Sequence, residues 1–122
     1  MITGRGAKAK GSKFERDIAT ALRRSGLDKN AQRMVLSGGA PGFLSDIKTD
    51  LPIHFELKRQ EKTRFREWFA QAEGDCSGIR IPVVVWRGSH DRPFVFFDFN
   101  DFLELLQYAV DGGYKGKLPF SK

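Results

Sequence analysis

Residues 43–58 read Phe-Leu-Ser-Asp-Ile-Lys-Thr-Asp-Leu-Pro-Ile-His-Phe-Glu-Leu-Lys. Two short runs, 43–48 and 53–58, flank Thr49-Asp50-Leu51-Pro52, a pattern that predicts a β-hairpin. The second run alternates: Ile53, Phe55 and Leu57 share one face, and His54, Glu56 and Lys58 share the other. A turn centred near residue 51 sets Asp46 across from Glu56 on one face. His54 on that face has the ordinary reading of a surface histidine.

Working outward, Ser12 reads as an N-cap, followed by the apolar stripe Phe14, Ile18, Ala21 and Leu22, with Gly26 as the stop. Residues 33–37 read as a short strand and the Gly-rich 38–42 as a loop. After the hairpin, Phe65, Trp68, Phe69 and Ala72 predict a helix over 63–72, closed by Gly74. The continuous apolar run 81–86 predicts a strand buried on both faces. A strand over 93–99 follows, apolar on both faces. A last helix from residue 100 or 101 is expected to bury Phe102, Leu103, Leu106 and Val110. This order predicts an α/β sandwich on a mixed central sheet flanked by helices.

At 122 residues the chain is one domain, expected as a flexible basic arm over 1–11 and a single folded domain over 12–122. One Cys excludes an intrachain disulfide and a cysteine-rich zinc site. The same lone Cys suggests a reducing, cytoplasmic setting, nucleoid-associated or viral in an infected cell, and no apolar run is long enough to span a bilayer, so no membrane partner is expected. The net charge of +6 suits a polyanion. Residues 1–24 carry seven bases and two acids, 58–66 five bases and one acid, and 91–111 one base and five acids. The basic clusters nominate Lys8, Lys10, Lys13, Arg16, Arg59, Lys62 and Arg64 as contacts to DNA phosphates.

An acid-x-Lys triplet such as Glu56-Leu57-Lys58 arises about once by chance in this composition, and Asp46-Ile47-Lys48 is a second. The bare tripeptide thus reads as a charged strand face. Opposition of Asp46 and Glu56 gives it meaning. At roughly 4 Å and an effective dielectric of about 20 their repulsion is about 4 kcal/mol. Lys58 and a divalent cation would offset it, and hard oxygen ligands favour Mg²⁺ or Mn²⁺. Such an ion supports phosphodiester hydrolysis, with Lys58 orienting water or neutralising the phosphoryl oxygens. Glu15 has a local reading as well, because Ser12-Lys13-Phe14-Glu15 fits a capping box.

Gly11 to Arg16 opening the first helix, Arg33 to Ser37 before a Gly-rich loop, Asp46, and Glu56-x-Lys58 together resemble the archaeal-type Holliday junction resolvases. The same residues are similar to phage junction endonucleases with the PD-(D/E)xK core. The resemblance covers roughly residues 10–87 and implies an αβββαβ nuclease core. It implies catalytic Glu15, Asp46, Glu56 and Lys58, with Asp46, Glu56 and the Leu57 carbonyl on the metal and Glu15 approaching it. It places Ser37 near the scissile phosphate and Gln71 near the active site. Ser45 stands where the family name has proline, which keeps Asp50 as an alternative to Asp46. The implied function is a homodimeric, Mg²⁺-dependent endonuclease on branched DNA. A nickase, a flap- or end-processing nuclease and a non-catalytic basic DNA-binding module are the alternatives.

Overall fold

The computed structural model describes residues 4–34 and 45–116, with side chains from residue 9 onward. The chain runs α1 (Gly4–Arg24), β1 (Gln32–Arg33), β2 (Ile47–Lys48), β3 (Ile53–Arg59), α2 (Phe65–Asp75), β4 (Ile81–Arg87), β5 (Phe94–Phe96) and α3 (Phe99–Asp111). Strands β3 and β4 pair in parallel, with Glu56 beside Val84 and Arg59 beside Arg87. Strand β5 adds to β4 antiparallel, so this three-stranded sheet is mixed. Helix α1 covers one face: Phe14 and Ala19 pack with Phe55, Val83 and Val85. Helix α2 covers the other, where Trp68 and Ala72 meet Val84. The fold class is α/β, as expected.

Several boundaries differ from the sequence reading, each for a physical reason. Residues 4–11, expected as an arm, form the first turns of α1. Their Ala, Lys and Arg residues favour helix strongly enough to outweigh glycines at roughly 1 kcal/mol each. Ser12 is therefore inside α1, and the capping box does not form. Gly26 does end the helical segment, in the left-handed region at φ 81°. Helix α2 continues through Gly74 to Asp75, because Ala72 still packs on the sheet and its carbonyl accepts from Cys76 N–H.

The expected hairpin is the most altered element. Strand β2 forms its ladder with β1, Arg33 opposite Ile47, rather than with β3. Ser45 replaces the missing rungs: its buried Oγ accepts from Phe55 N–H at 3.0 Å and donates to the Ile47 carbonyl at 3.0 Å. Asp46 N–H adds one main-chain bond to the Phe55 carbonyl at 2.8 Å. Arg80 clamps the turn from below, donating to the carbonyls of Thr49, Leu51 and Ile53. Residues 35–37 of the first expected strand, the 38–42 loop, and Phe43 and Leu44 lie outside the described residues.

The C-terminal segment departs furthest. Asp98 caps α3 by accepting from Asp101 N–H. Yet no α3 residue is buried, and Phe102, Leu103, Leu106 and Val110 are 38–52% exposed. Helical periodicity locates an apolar helix correctly but cannot tell whether its own chain covers it.

Two substitutions check this packing. Ser45→Ala strands the buried Phe55 N–H and should destabilise the chain by about 2 kcal/mol in urea unfolding. At Gly11 of α1 an added Cβ meets nothing within 4 Å. Gly11→Ala should therefore stabilise by about 0.5–1 kcal/mol in the same assay.

Candidate active site

Strand β3 presents the candidate residues along one face. Because 53, 55 and 57 pack toward α1, residues 54, 56 and 58 project toward α2. Glu56 is buried at 5% exposure, and its Oε2 lies 3.2 Å from Lys58 Nζ. From α2, Gln71 Oε1 accepts a hydrogen bond from the same ammonium at 3.4 Å. Gln71 thus works through Lys58 in this arrangement. Asp46 reaches β3 from the side: its Oδ2 accepts from Leu57 N–H at 2.7 Å. Leu57 therefore meets Asp46 through its amide.

Burial pushes Glu56 up to about 7, the Asp46 charge adds to that rise, and Lys58 opposes it. Asp46 is also raised, by burial first, against the pull of the Leu57 amide and Lys58. Glu15, on α1, is raised by burial and then by Asp46, while Arg33 and Arg16 counteract. Glu15 Oε1 stands 3.5 Å from Arg33 Nε, and that nitrogen has no aligned hydrogen bond. Three carboxyl groups from three segments thus share one electrostatic field. Asp50 does not join them: its N–H is tied to Asp28 in the exposed turn.

The donor chemistry suits a hard divalent cation. Asp46 and Glu56 offer carboxylate oxygens whose mutual repulsion a cation would relieve. Among the described residues no three His, Cys, Asp or Glu side chains converge as a metal-holding group. A two-carboxylate site whose remaining positions go to main-chain carbonyl and water fits Mg²⁺, which usually retains several waters.

Two groups near the site are not singled out by sequence reasoning. Asp75 follows Trp68 and Ala72 at helical spacing, and its charge acts on Asp46, Glu56 and His54. Extending the 68–72 stripe past Gly74 would find it. Arg33 pairs with Glu15 because the β1–β2 ladder sets it opposite Ile47, next to Asp46. His54 corrects the surface reading. It is 3% exposed, its Nε2 lacks a hydrogen bond among the described residues, and burial lowers its pKa.

The basic residues are spread over two faces. Lys13 pairs with Asp17 at 2.8 Å, Arg59 with Glu61 at 3.6 Å and Arg64 with Glu67 at 3.4 Å. Lys10, Arg16 and Lys62 are exposed. Ser37 and the Lys8 side chain lie outside the described residues. No described helix is long and apolar enough to cross a membrane.

No curated protein and no solved structure matches the chain. A family model described as "Phage putative PDDEXK endonuclease" matches residues 6–111, a span that takes in Glu15, Asp46, Glu56 and Lys58. With two acids and a lysine gathered at β3 and nearly the whole chain matched, this protein belongs to that phage PD-(D/E)xK endonuclease family.

Proposed function

We propose that the chain is a Mg²⁺-dependent, structure-selective DNA endonuclease that resolves four-way (Holliday) junctions by phosphodiester hydrolysis, with Mn²⁺ able to substitute. The observation carrying this reading is the buried Glu56 beside Asp46, with Lys58 held 3.2 Å away. Asp46, Glu56 and the Leu57 carbonyl would hold the cation, with Glu15 approaching from α1. When bound, the ion supplies Lewis acidity and positive charge at the scissile phosphate. Lys58, steadied by Gln71, orients the attacking water or offsets charge on the phosphoryl oxygens. Lys8, Lys10, Lys13, Arg16, Arg59, Lys62 and Arg64 would grip the DNA backbone, and Ser37 would stand near the scissile phosphate. The αβββαβ core is the part of the fold that this reading assigns to catalysis.

Symmetric cutting of a junction needs two active sites, and we propose a twofold homodimer. Eleven large apolar side chains between Phe94 and Tyr114 are 37–72% exposed. Their free surface is roughly 1,000 Å², against about 800 Å² per partner in a standard interface. Light scattering at micromolar protein should report a two-chain mass, and Leu106→Arg should return it to one. A one-chain mass for the parent removes the dimer.

Cleavage assays test the chemistry. On four-way junction, flap, nicked and linear duplex DNA, cutting should require Mg²⁺ or Mn²⁺ and favour the junction, with Ca²⁺ supporting binding alone. Glu56→Gln and Lys58→Ala should each slow cleavage by at least about 100-fold while junction affinity stays within a few-fold. Cleavage by Glu56→Gln at the parental rate would sink the site assignment. Preference for a flap or nick over the junction would keep the nuclease and replace its substrate.

The raised carboxyl of Glu56 has a signature without any cation. Its folded-state pKa of about 7 exceeds the ordinary 4.5, so the folded chain holds this proton more tightly. Its contribution to stability is greatest below about 4.5 and is lost as pH rises through 7. Asp28 and Glu61, pulled down by hydrogen bonds, act in the opposite sense at lower pH. In EDTA, the Tm should fall by about 5 °C between pH 5.5 and 8, and Glu56→Gln should flatten that slope.

A further inference from the structure

A cleft of about 380 Å³ opens where α1 passes the carboxyl ends of β3 and β4. Such crevices beyond the ends of parallel strands are where open α/β sheets commonly bind ligands. Lys10 and Lys13 of α1, Arg59 of β3 and Arg87 of β4 supply four positive charges to it, while Asp17, paired with Lys13, and Glu61, paired with Arg59, bring two negative ones. Arg59 and Arg87 are register partners and so point to the same side of the sheet. That side is opposite to Glu56 and Lys58.

The cleft is braced. Trp86 Nε1 donates to the Gln60 carbonyl at 2.7 Å, and Ser89 N–H donates to Glu61 Oε1 at 2.7 Å. These bonds lace together the loops that follow β3 and β4. Arg87 Nε donates to the Asp91 carbonyl at 2.6 Å, fixing the guanidinium over its own loop. His90, at the rim, holds a left-handed φ of 56°, a conformation uncommon for a histidine. Gly88 is buried under this turn, where a Cβ would come within 3.2 Å of the Trp86 ring. The turn therefore has little freedom to carry Arg87 and His90 elsewhere.

We infer that this cleft is a second anchoring site for DNA, taking a backbone phosphate of an arm other than the one being cut. The inference rests on the nuclease reading and adds a basis for selectivity. Four cations against two acids leave the cleft net positive, its volume admits a phosphodiester together with its flanking sugars, and fixed guanidinium groups suit phosphate oxygens. Because the cleft and the Lys58 side chain project on opposite faces of β3, one straight duplex does not serve both. A branched DNA, whose arms diverge, does.

Arg87→Ala and Arg87→Gln, the second keeping an amide donor for the Asp91 carbonyl, test the site by binding in Ca²⁺, with circular dichroism and melting confirming the fold. Each should weaken four-way junction binding by about 5–10-fold and reduce its log–log salt slope by about 1. Affinity for a short linear duplex should change less than about twofold. Equal losses on both DNAs, no loss on either, or a parent that does not prefer the junction would each overturn the anchor. Failure of the parent to cut any DNA in Mg²⁺ would remove the nuclease reading instead, leaving the binding difference to stand or fall separately.

Discussion

Two carboxyl groups that feel each other's charge, Glu56 buried and Asp46 half-buried, are the constraint around which this chain is organised. Glu56 is fixed by its strand position, but Asp46 must be brought to it against electrostatic resistance. Three hydrogen bonds do this work. The Leu57 amide takes the Asp46 carboxylate, the Asp46 amide takes the Phe55 carbonyl, and Ser45 Oγ closes the gap behind them. The neutral ones are worth about 0.5–1.5 kcal/mol net each and the one to the carboxylate about 1.5–3, so together they rival the like-charge cost without neutralising it. The charge that remains uncompensated is the property a cation would exploit. Lys58 alone does not remove it, since Glu56 stays near 7 despite that neighbour.

The surrounding elements follow from holding this pair in place. Helix α1 buries Phe14 against β3, and that contact carries Glu15 toward Asp46. Helix α2 buries Trp68 and Ala72 against Val84, which brings Gln71 to Lys58 and Asp75 toward the carboxylates. The parallel β3–β4 pair requires a crossover longer than a hairpin, and α2 is that crossover. Each layer thus contributes at least one polar group to the site from the same helix or strand that contributes core.

Much of this arrangement is legible in the amino-acid order. Period-two alternation in 53–58 says which side Glu56 and Lys58 share, and β-branched continuity in 81–86 marks a strand buried on both sides. Proximity of Asp46 follows correctly but through the wrong intermediary, a regular hairpin, because a single serine substituting for ladder rungs leaves no periodic trace. Burial of His54 escapes the pattern for a related reason. Alternation says which face a side chain takes, whereas its depth depends on α2 arriving above it. The helical start at Gly4 is hidden when glycine frequency is weighed above the Ala and Lys between the glycines. Arg33 is invisible as a site member, since it arrives by tertiary contact, and Asp75 is missed because the apolar stripe is taken to stop at Gly74.

The exposed C-terminal helix and the buried acidic pair are linked by charge distribution. Residues 91–111 carry five of the fifteen acids and one of the twenty-one Lys and Arg residues. A polyanion approaching this molecule is repelled from that segment and attracted to the faces bearing α1 and the ends of β3 and β4. The apolar side chains of α3 therefore sit on the part of the surface least suited to DNA, where contact with another protein surface does not compete with it. Self-association through α3 alone would bring its acids, Asp101, Glu104 and Asp111, toward one another, with no Lys or Arg on the helix to answer them. A stable dimer must then either splay those acids to the rim or cross α3 over a basic part of its partner. The first geometry leaves the basic surfaces of both chains open, whereas the second covers part of them, so the first is the one compatible with the proposed cutting of a four-armed substrate.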